Sequence, residues 1–474
     1  MASAKGTPNA VPTGTPSAVK ATLASAYVDL RDQGWAQQYL PELMEQEAEV
    51  FGNRTISGFL AQVGAEEAMA ADQVLWSEQG RLHIQGTGAF TGVGSSAAGK
   101  ITTDATTNVR VGDTIVLTGL VGAGAGVTTK CYVTTVDAAN AFFNAVPYNA
   151  ANLDAAYDVD DTVTFFVYGS EYTKGVTGRL EGLEPSFVSL ENKPVIIKDL
   201  YEVSGSDASA IGWIEVSGED GQNGYLWYLK ASGDTMSRFA DYCEMTCIEG
   251  ELAAGGSGAA GANLGGTEGL FAAITSRGNV MDGGFDYNDT ASESLDTFDL
   301  MLKRFDSQGA IEENMMFLNR QVSLAIDDML ASMNSYGGSG TSYGVFNNSE
   351  DMALNLGFTG FRRGSYDFYK SDWKYLNDAA TRGSISNDVD GVIVPAGVSS
   401  VYDQMLGKNM KRPFLHVRYR ASQTESRKMK TWVTGSVGAA TSDLDAMEVN
   451  YLSERCLVTQ GANNFFLLKG NELS

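Results

Sequence analysis

The amino-acid sequence predicts a mixed α+β fold that carries a small β-barrel. Between residues 84 and 168, short apolar strands alternate with glycine-containing turns. Over Asp234–Leu252, apolar residues recur at helical spacing. In Arg412–Lys469, β-forming residues alternate with charged ones, which is typical of strands with one solvated face.

The composition indicates a folded protein with more than one structural unit. The chain has 474 residues, of which 43% are hydrophobic and 19% charged. Its 54 glycines, against 9 prolines, predict many tight turns and flexible loops. The net charge of -25 is unfavourable for non-specific binding to nucleic acid or to anionic membranes.

One stretch departs from this acidic average. Tyr402–Lys430 carries eight basic residues against two acidic ones. We interpret it as a contact surface for acidic neighbours, and the alternative is a solvated face.

The four cysteines, Cys131, Cys243, Cys247 and Cys456, have no disulfide-framework spacing, so a reducing compartment is expected. Cys243 and Cys247 lie one helical turn apart and are predicted to pack in a core rather than to bind metal. The N-terminus lacks the apolar core of a signal peptide, and no run of about 18 apolar residues occurs. We therefore expect synthesis in the cytoplasm and no membrane span.

The first elements are an arm and two short helical segments. Residues 1–34 are rich in Ala, Thr, Pro, Gly and Ser, as expected of an extended arm. Pro41–Phe51 is predicted to be a short helix that Gly52 ends. Ile56–Ala71 is predicted to be helical or mixed.

The barrel prediction depends on four apolar strands. Val109–Gly119 and Tyr157–Gly169 share the pattern Val-x-Asp-Thr followed by an apolar run, and Lys130–Val136 and Ala141–Val146 lie between them. Several short strands over about 85 residues favour a small closed barrel.

A hairpin and a long helix are predicted next. Pro194–Val203 and Ala210–Val216 are expected to pair, with Tyr225–Lys230 as a third strand after an Asn-Gly turn. Asp234 can cap the helix that follows. The glycine-rich stretch Ala253–Gly266 then predicts a surface loop or hinge.

The remaining elements alternate helix and strand, as in an α+β unit. Helices are predicted at Leu295–Phe305 and at Val322–Met333, with a strand at Asn314–Asn319 between them. Further strands are predicted at Phe358–Arg362, Tyr366–Tyr369, Gly391–Pro395, Val417–Ala421, Val449–Val458 and Phe465–Leu468.

Gly94–Lys100 has the spacing of a phosphate-binding loop, but Ile101 stands where a Ser or Thr hydroxyl should hold magnesium. β-forming residues follow where the motif requires a helix. A flexible loop is therefore predicted.

Gly340–Gly344 matches the nucleophile-elbow pattern around Ser342, and His416 is the only later histidine. No strong strand precedes Ser342, and His416 alternates with strand residues. A hydrolase site is therefore disfavoured.

Asp154, Asp158, Asp160 and Asp161 form an acidic cluster without the spacing of a calcium-binding loop, so a solvated turn is predicted. We predict no catalytic, cofactor-binding or metal-binding residues.

Several segments together resemble one protein family. They are Gly52–Leu60, Trp76–Ile84, Leu183–Trp213, Tyr225–Lys230 and the C-terminal stretch Arg412–Lys469. In these segments the chain resembles the major capsid proteins of tailed double-stranded DNA phages with the Hong Kong 97-like fold, most closely those of crAss-like and related phages.

The resemblance implies a set of domains and a role. The implied order is an N-terminal arm (1–55), the extended loop and start of the peripheral domain (56–83 and 169–230), an inserted β-barrel domain (84–168), a spine helix and glycine loop (231–267), a mainly axial domain (268–411) and a peripheral-domain sheet (412–474). It also implies self-assembly into the pentamers and hexamers of an icosahedral head, without a cofactor. Some members of the family remove an N-terminal scaffolding segment, but the predicted arm is short, so we expect no such removal here.

The implied partners are other copies of the chain and possible cement, portal and scaffold proteins. Packaged DNA is expected only in non-specific proximity, and no membrane is expected. The predicted subunit-contact residues are the basic side chains Arg412, Arg418, Arg420, Arg427, Lys428, Lys430, Lys193 and Lys198.

Two alternatives stay open: another virion structural protein, such as a decoration or tail subunit, and a hydrolase that uses Ser342. The helix-rich middle, Asp234–Met333, disfavours a tail tube, which is nearly all β.

Overall fold

The computed structural model of the chain has two compact units. One comprises the chain up to Leu75 together with Glu191 and the rest of the chain, and the other is Trp76–Leu190. The structure describes residues 58–60, 65–80, 83–92, 99–103, 109–122, 124–154, 156–179, 187–206, 215–217, 223–281, 291–335, 360–385, 389–396, 398–403, 408–436 and 441–470. The predicted arm, 1–55, and the predicted helix Pro41–Phe51 lie outside these residues.

Six strands of the smaller unit close into a barrel in the order β3-β4-β7-β6-β5-β8. They are β3 (Gln85–Phe90), β4 (Gly99–Thr103), β5 (Asp113–Val121), β6 (Thr128–Asp137), β7 (Phe142–Pro147) and β8 (Thr162–Ser170). Alternate side chains, including Phe90, Ile115, Phe143 and Phe165, fill the interior. The predicted small closed barrel is confirmed.

The repeated Asp-Thr pair marks the starts of β5 and β8, which pair antiparallel. A carboxylate oxygen of Asp113 accepts a hydrogen bond from the backbone N–H of Arg110 at 2.8 Å, and one of Asp161 accepts from that of Asp158 at 2.9 Å. Asp161 is only 5% exposed and also accepts from the N–H of Gly124. The solvated-turn prediction is therefore wrong for Asp161, because its carboxylate satisfies buried turn N–H groups.

The first sheet of the larger unit has the order β1-β20-β22-β10, with β21 also paired to β22. Its strands are β1 (Ala65–Met69), β10 (Val195–Ser204), β20 (Leu415–Arg420), β21 (Lys430–Gly435) and β22 (Ala446–Thr459). The helix α1 (Leu226–Glu249) packs on one face, where Phe239 and Cys243 contact Val449 and Tyr451.

The second sheet has the order β13-β23-β17-β14-β16-β15. Its strands are β13 (Asn279–Met281), β14 (Glu313–Leu318), β15 (Gly360–Arg363), β16 (Tyr366–Asp372), β17 (Gly391–Pro395) and β23 (Phe466–Leu468). The helices of this half of the unit are α2 (Gly258–Gly261), α3 (Leu270–Arg277), α4 (Ala291–Gln308) and α5 (Arg320–Ser335). Phe298 and Phe305 of α4 and Ile326 of α5 pack with Met316 and Phe368 of the sheet.

The remaining elements are short. They are the strand pairs β2 (Val74–Gln79) with β9 (Phe187–Asn192), β11 (Glu215–Ser217) with β12 (Asn223–Tyr225) and β18 (Val398–Asp403) with β19 (Lys408–Pro413), the helix α6 (Lys374–Asn377), and the 3-10 turns Arg382–Ser384 and Ala462–Asn464.

One of three local predictions is wrong. Pro194–Val203 forms a strand as predicted and pairs with β22, while most of its predicted partner, Ala210–Val216, lies outside the described residues. Tyr225–Lys230 is not a strand, since α1 begins at Leu226; a short apolar run fits either state, and its continuation into a 24-residue helix decides this one. Ile56–Ala71 is mixed, one of the two predicted alternatives, since it contains the strand β1, for which β20 supplies a parallel partner from far along the chain.

The C-terminal segment serves both sheets of the larger unit. The predicted strand over Val449–Val458 is one continuous 14-residue strand, β22, in the first sheet. The predicted buried strand at Phe465–Leu468 is β23, which lies between β13 and β17 in the second sheet. The C-terminal segment therefore contributes β22 to the first sheet and β23 to the second.

Candidate subunit-contact surface

The basic residues predicted to contact other subunits lie mostly around the first sheet. Arg418 and Arg420 belong to β20, Lys430 begins β21, and Lys198 lies in β10. Arg427 and Lys428 lie between β20 and β21, Lys193 is an exposed residue just before β10, and Arg412 is in β19. Sequence reasoning thus selected one neighbourhood of the fold, although its role in subunit contact stays a prediction.

Five of these basic side chains form ion pairs within the chain. Arg418 pairs with Glu67 at 2.9 Å, Arg427 with Glu454 at 2.7 Å and Lys430 with Glu425 at 2.5 Å. Arg420 pairs with Asp72 and Glu454, and Lys428 pairs with Glu66. The basic patch is therefore largely neutralised by carboxylates of its own chain. Sequence reasoning missed most of these pairs because Glu66, Glu67 and Asp72 come from a distant segment of the chain.

The face of the first sheet opposite α1 carries a regular pattern. Leu452 is the register partner of both Lys198 and Lys430, so these three residues form one row across the sheet. The next row is Leu200, Asn450 and Trp432, and the one after it is Glu202, Glu448 and Thr434. Residues directly opposite each other on paired strands share a face. We call these three rows, together with Ile196, the open face.

The open face orders charge in one direction. A row with two lysines is followed by a row with Leu200 and Trp432 at its ends, and then by a row with two glutamates. Ile196 is 52% exposed and Leu200 44% exposed, whereas Leu452 is buried beneath its neighbours. Exposed apolar side chains with charged or polar neighbours are typical of a protein-binding surface.

Contacts within the open face hold its polar side chains in place. The Lys430 ammonium lies 5.5 Å from the centre of the Trp432 ring, a cation–π distance. The Thr434 hydroxyl donates to Glu448 at 2.8 Å and accepts from the Asn450 amide at 3.0 Å.

On the opposite face of the sheet, α1 covers the part formed by β22 and β10. The rings of Phe239 and Tyr451 lie 5.8 Å apart between α1 and β22, and Arg238 of α1 reaches Asp199 of β10 at 3.4 Å. The helix thus fixes β10 from one side and leaves the open face to solvent in the described part of the chain.

Cys243 and Cys247 are buried in cores, as predicted, and all four cysteines are buried and free. The two motif predictions fall only partly on described residues. Gly99–Thr103 forms β4, whereas residues 93–98 and Ser342 lie outside the described residues. His416 is a buried strand residue of β20.

Among the described residues, no group of three or more His, Cys, Asp or Glu side chains is arranged to hold a metal ion. No helix in the described ranges is both long and apolar enough to cross a membrane.

Two buried charged sites were not found from the sequence. The Glu244 carboxylate accepts three backbone N–H groups from Gly58, Phe59 and Leu60. The Lys370 ammonium lies 2.5 Å from a carboxylate oxygen of Asp327, with both side chains at most 10% exposed. Neither pattern has a local signal, because each partner is supplied by another element of the fold.

Comparison with known proteins finds weak similarity to phage capsid structures. No family model and no curated protein matches the chain. A capsid structure of the cyanophage P-SCSP1u has 8% identity and a TM-score of 0.40, covering 94% of this chain and 97% of that one. A mature capsid of bacteriophage PhiM1 has 9% identity and a TM-score of 0.38, with 92% and 93% covered.

A third similar structure is the capsid of a native GTA particle, with 10% identity and a TM-score of 0.39 over 94% of this chain and 99% of that one. At these identities and TM-scores, the similarity does not by itself define a function.

Proposed function

We propose that the chain is the major capsid protein of a tailed phage and that copies of it assemble into the pentamers and hexamers of an icosahedral head. The observation that carries the proposal is the origin of the strands in the first sheet. They come from before the barrel, from directly after it and from the C-terminal segment, and the 24-residue α1 packs on them. This is the element order that the family resemblance implies.

In this proposal the first sheet with α1 is the peripheral domain, the second sheet with α4 and α5 is the main part of the axial domain, and the barrel is the insertion in the extended loop. Cement, portal and scaffold proteins are proposed as further partners. The site of action is the virion, after assembly in the host cytoplasm.

Assembly needs no chemistry beyond surface contact. Each subunit makes modest contacts with several neighbours, and closed symmetric packing multiplies them. The open face supplies apolar and charged side chains that suit such a contact, whereas Arg418 and Arg427 beside it are already ion-paired within the chain.

The test is assembly by the purified chain. We would measure its mass by size exclusion with light scattering and image the largest species by negative stain, alone and after co-expression with its neighbouring head genes. Closed shells, or rings of five and six, are expected. A chain that stays monomeric under both conditions and is absent from purified particles would contradict the proposal.

A further inference from the structure

The strand β10 is a long, regular edge of the first sheet. It ends the strand order, and all ten of its residues are in unbroken register with β22, from Val195 opposite Arg455 to Ser204 opposite Ala446. Among the described residues, β22 is the only strand that pairs with it. A long straight edge without a bulge offers backbone groups for pairing with another strand.

The exposed side of β10 has a charge pattern that is complementary to itself. Along the open face, Lys198 precedes Leu200 and Glu202 follows it at the same separation. If two copies of the strand run antiparallel about a two-fold axis at Leu200, each Lys198 lies opposite Glu202 of the other copy. Leu200 then lies opposite Leu200, so that an exposed apolar side chain is buried at the axis.

Other registers lose this match. Moving the two-fold axis to Lys198 places lysine opposite lysine, and moving it to Glu202 places glutamate opposite glutamate. Opposed like charges across a strand pair are destabilising. An axis at Asp199 or Tyr201 leaves Lys198 or Glu202 opposite Leu200. The axis at Leu200 therefore matches both charges at once.

The covered side of β10 is compatible with the same register. There Asp199 lies opposite Tyr201 of the second copy, and the charge of Asp199 is already balanced by Arg238 at 3.4 Å. No two carboxylates therefore lie directly opposite each other on this side of the strand pair.

We propose that two copies of the chain join by antiparallel pairing of β10 with β10 about a two-fold axis at Leu200, which makes one continuous sheet across the subunit contact. The inference rests on the proposed function in one respect, since self-assembly supplies the second copy. A symmetric contact of this kind is isologous, with the same residues contributed from both sides.

A cysteine trap tests the register in the full chain. Leu200→Cys places two thiols opposite each other, at a Cα separation of about 4.5–5.5 Å that a disulfide spans. Because the four native cysteines are buried, background cross-linking is low. Ile196→Cys is the matched control, since its thiols would lie far apart in the proposed register. We expect a disulfide-linked dimer for Leu200→Cys and at least tenfold less for Ile196→Cys.

Charge reversal tests the pairing independently. Lys198→Glu and Glu202→Lys each turn two attractive pairs into repulsive ones, so either change, added to Leu200→Cys, should lower the cross-linking yield about tenfold. An equimolar mixture of the Lys198→Glu and Glu202→Lys variants restores both attractive pairs between unlike copies and should recover the cross-linking yield. Combining both changes in one chain should also recover it. Lys174→Glu, an exposed site in the barrel unit, is the charge control and should have no effect.

The outcomes separate this inference from the proposed function. If shells form but Leu200→Cys does not cross-link within them, the β10 pairing is overturned. The capsid proposal is not affected by that result. Failure of the mixture to recover the yield would likewise overturn the pairing. A disulfide-linked Leu200→Cys dimer from a chain that never assembles further would support the pairing and contradict the capsid role.

Discussion

A carboxylate oxygen of Glu244 accepts a hydrogen bond from the backbone N–H of Phe59 at 2.8 Å, which joins α1 to a turn far earlier in the chain. The same carboxylate accepts from Leu60 at 3.2 Å and from Gly58 at 2.7 Å. The Phe59 ring stacks on Trp373 with centres 4.5 Å apart. One buried side chain thereby ties the long helix to residues that pack against the second sheet.

The first prediction concerns this contact. Burial raises the pKa of Glu244, and the three backbone N–H donors oppose that shift. Glu244→Gln keeps one acceptor oxygen but places an NH2 group against a backbone donor. We expect a loss of about 1–3 kcal/mol in the free energy of unfolding, measured by urea titration. Glu251→Gln, an exposed control at the end of the same region, should change it little; equal effects would contradict the role of Glu244.

The buried pair of Lys370 and Asp327 gives a second prediction. Lys370→Met leaves the Asp327 carboxylate buried without its ammonium partner, which should lower the free energy of unfolding by about 3–5 kcal/mol. The double variant Lys370→Met/Asp327→Leu removes both charges and should recover most of the loss. Chemical denaturation of the three proteins measures this, and a double variant as unstable as the single one would show that the pair itself stabilises the fold.

Two glycines in one turn of the barrel give a third prediction. Gly122 and Gly126 both have positive φ, at 109° and 80°. A Cβ at Gly122 would overlap the Asp161 carboxylate, whereas one at Gly126 meets nothing within 4 Å. Gly126→Ala should therefore cost only the backbone strain, about 1 kcal/mol, and Gly122→Ala clearly more. The labelling rate of Cys131, the one thiol of the barrel unit, reports on opening of the barrel; equal rates for the two variants would refute the contact with Asp161.

The buried thiols predict how stability changes at alkaline pH. Burial raises the pKa of Cys131, Cys247 and Cys456 to about 12, from an ordinary value of 9.0. The unfolded chain releases these protons first, so the stabilisation is complete below pH 9.0 and is lost as the pH rises toward about 12.

We expect the melting temperature to fall across that window. Replacing the three cysteines by valine should flatten the plot of melting temperature against pH in this window. Tyrosines and lysines titrate in both proteins, so the difference between the variant and the wild type reports on the thiols. An unchanged slope would mean that the thiols contribute nothing.

A fifth prediction concerns the barrel and assembly. The Val167 backbone N–H donates to the Ile84 carbonyl at 3.0 Å, so the two ends of a Gln85–Tyr168 deletion lie close together and a short linker can join them. We expect the shortened chain to stay soluble and to form fewer or weaker shells, because we propose that the barrel, as an insertion in the extended loop, clamps a neighbouring capsomer. Particle yield and melting of the shells measure this; shells of normal yield and stability would count against the clamp.

The sequence alone determined the elements whose signal is local. Alternating side chains predicted four of the six barrel strands, and helical spacing predicted α1, α4 and α5, because burying one face imposes a period on nearby residues. The same reasoning placed Cys243 and Cys247 in a core. These features depend on neighbours in the chain and could be predicted without the tertiary structure.

Only the tertiary structure decided which distant segments meet. β10 pairs with β22, which comes much later in the chain, and the partners of Arg418 and Lys428 are Glu67 and Glu66. Backbone pairing and charge attraction depend on contacts between distant segments, and such contacts produce no periodic pattern in the sequence. The open face, with lysines in one row and glutamates in another, exists only once β10, β22 and β21 are in register.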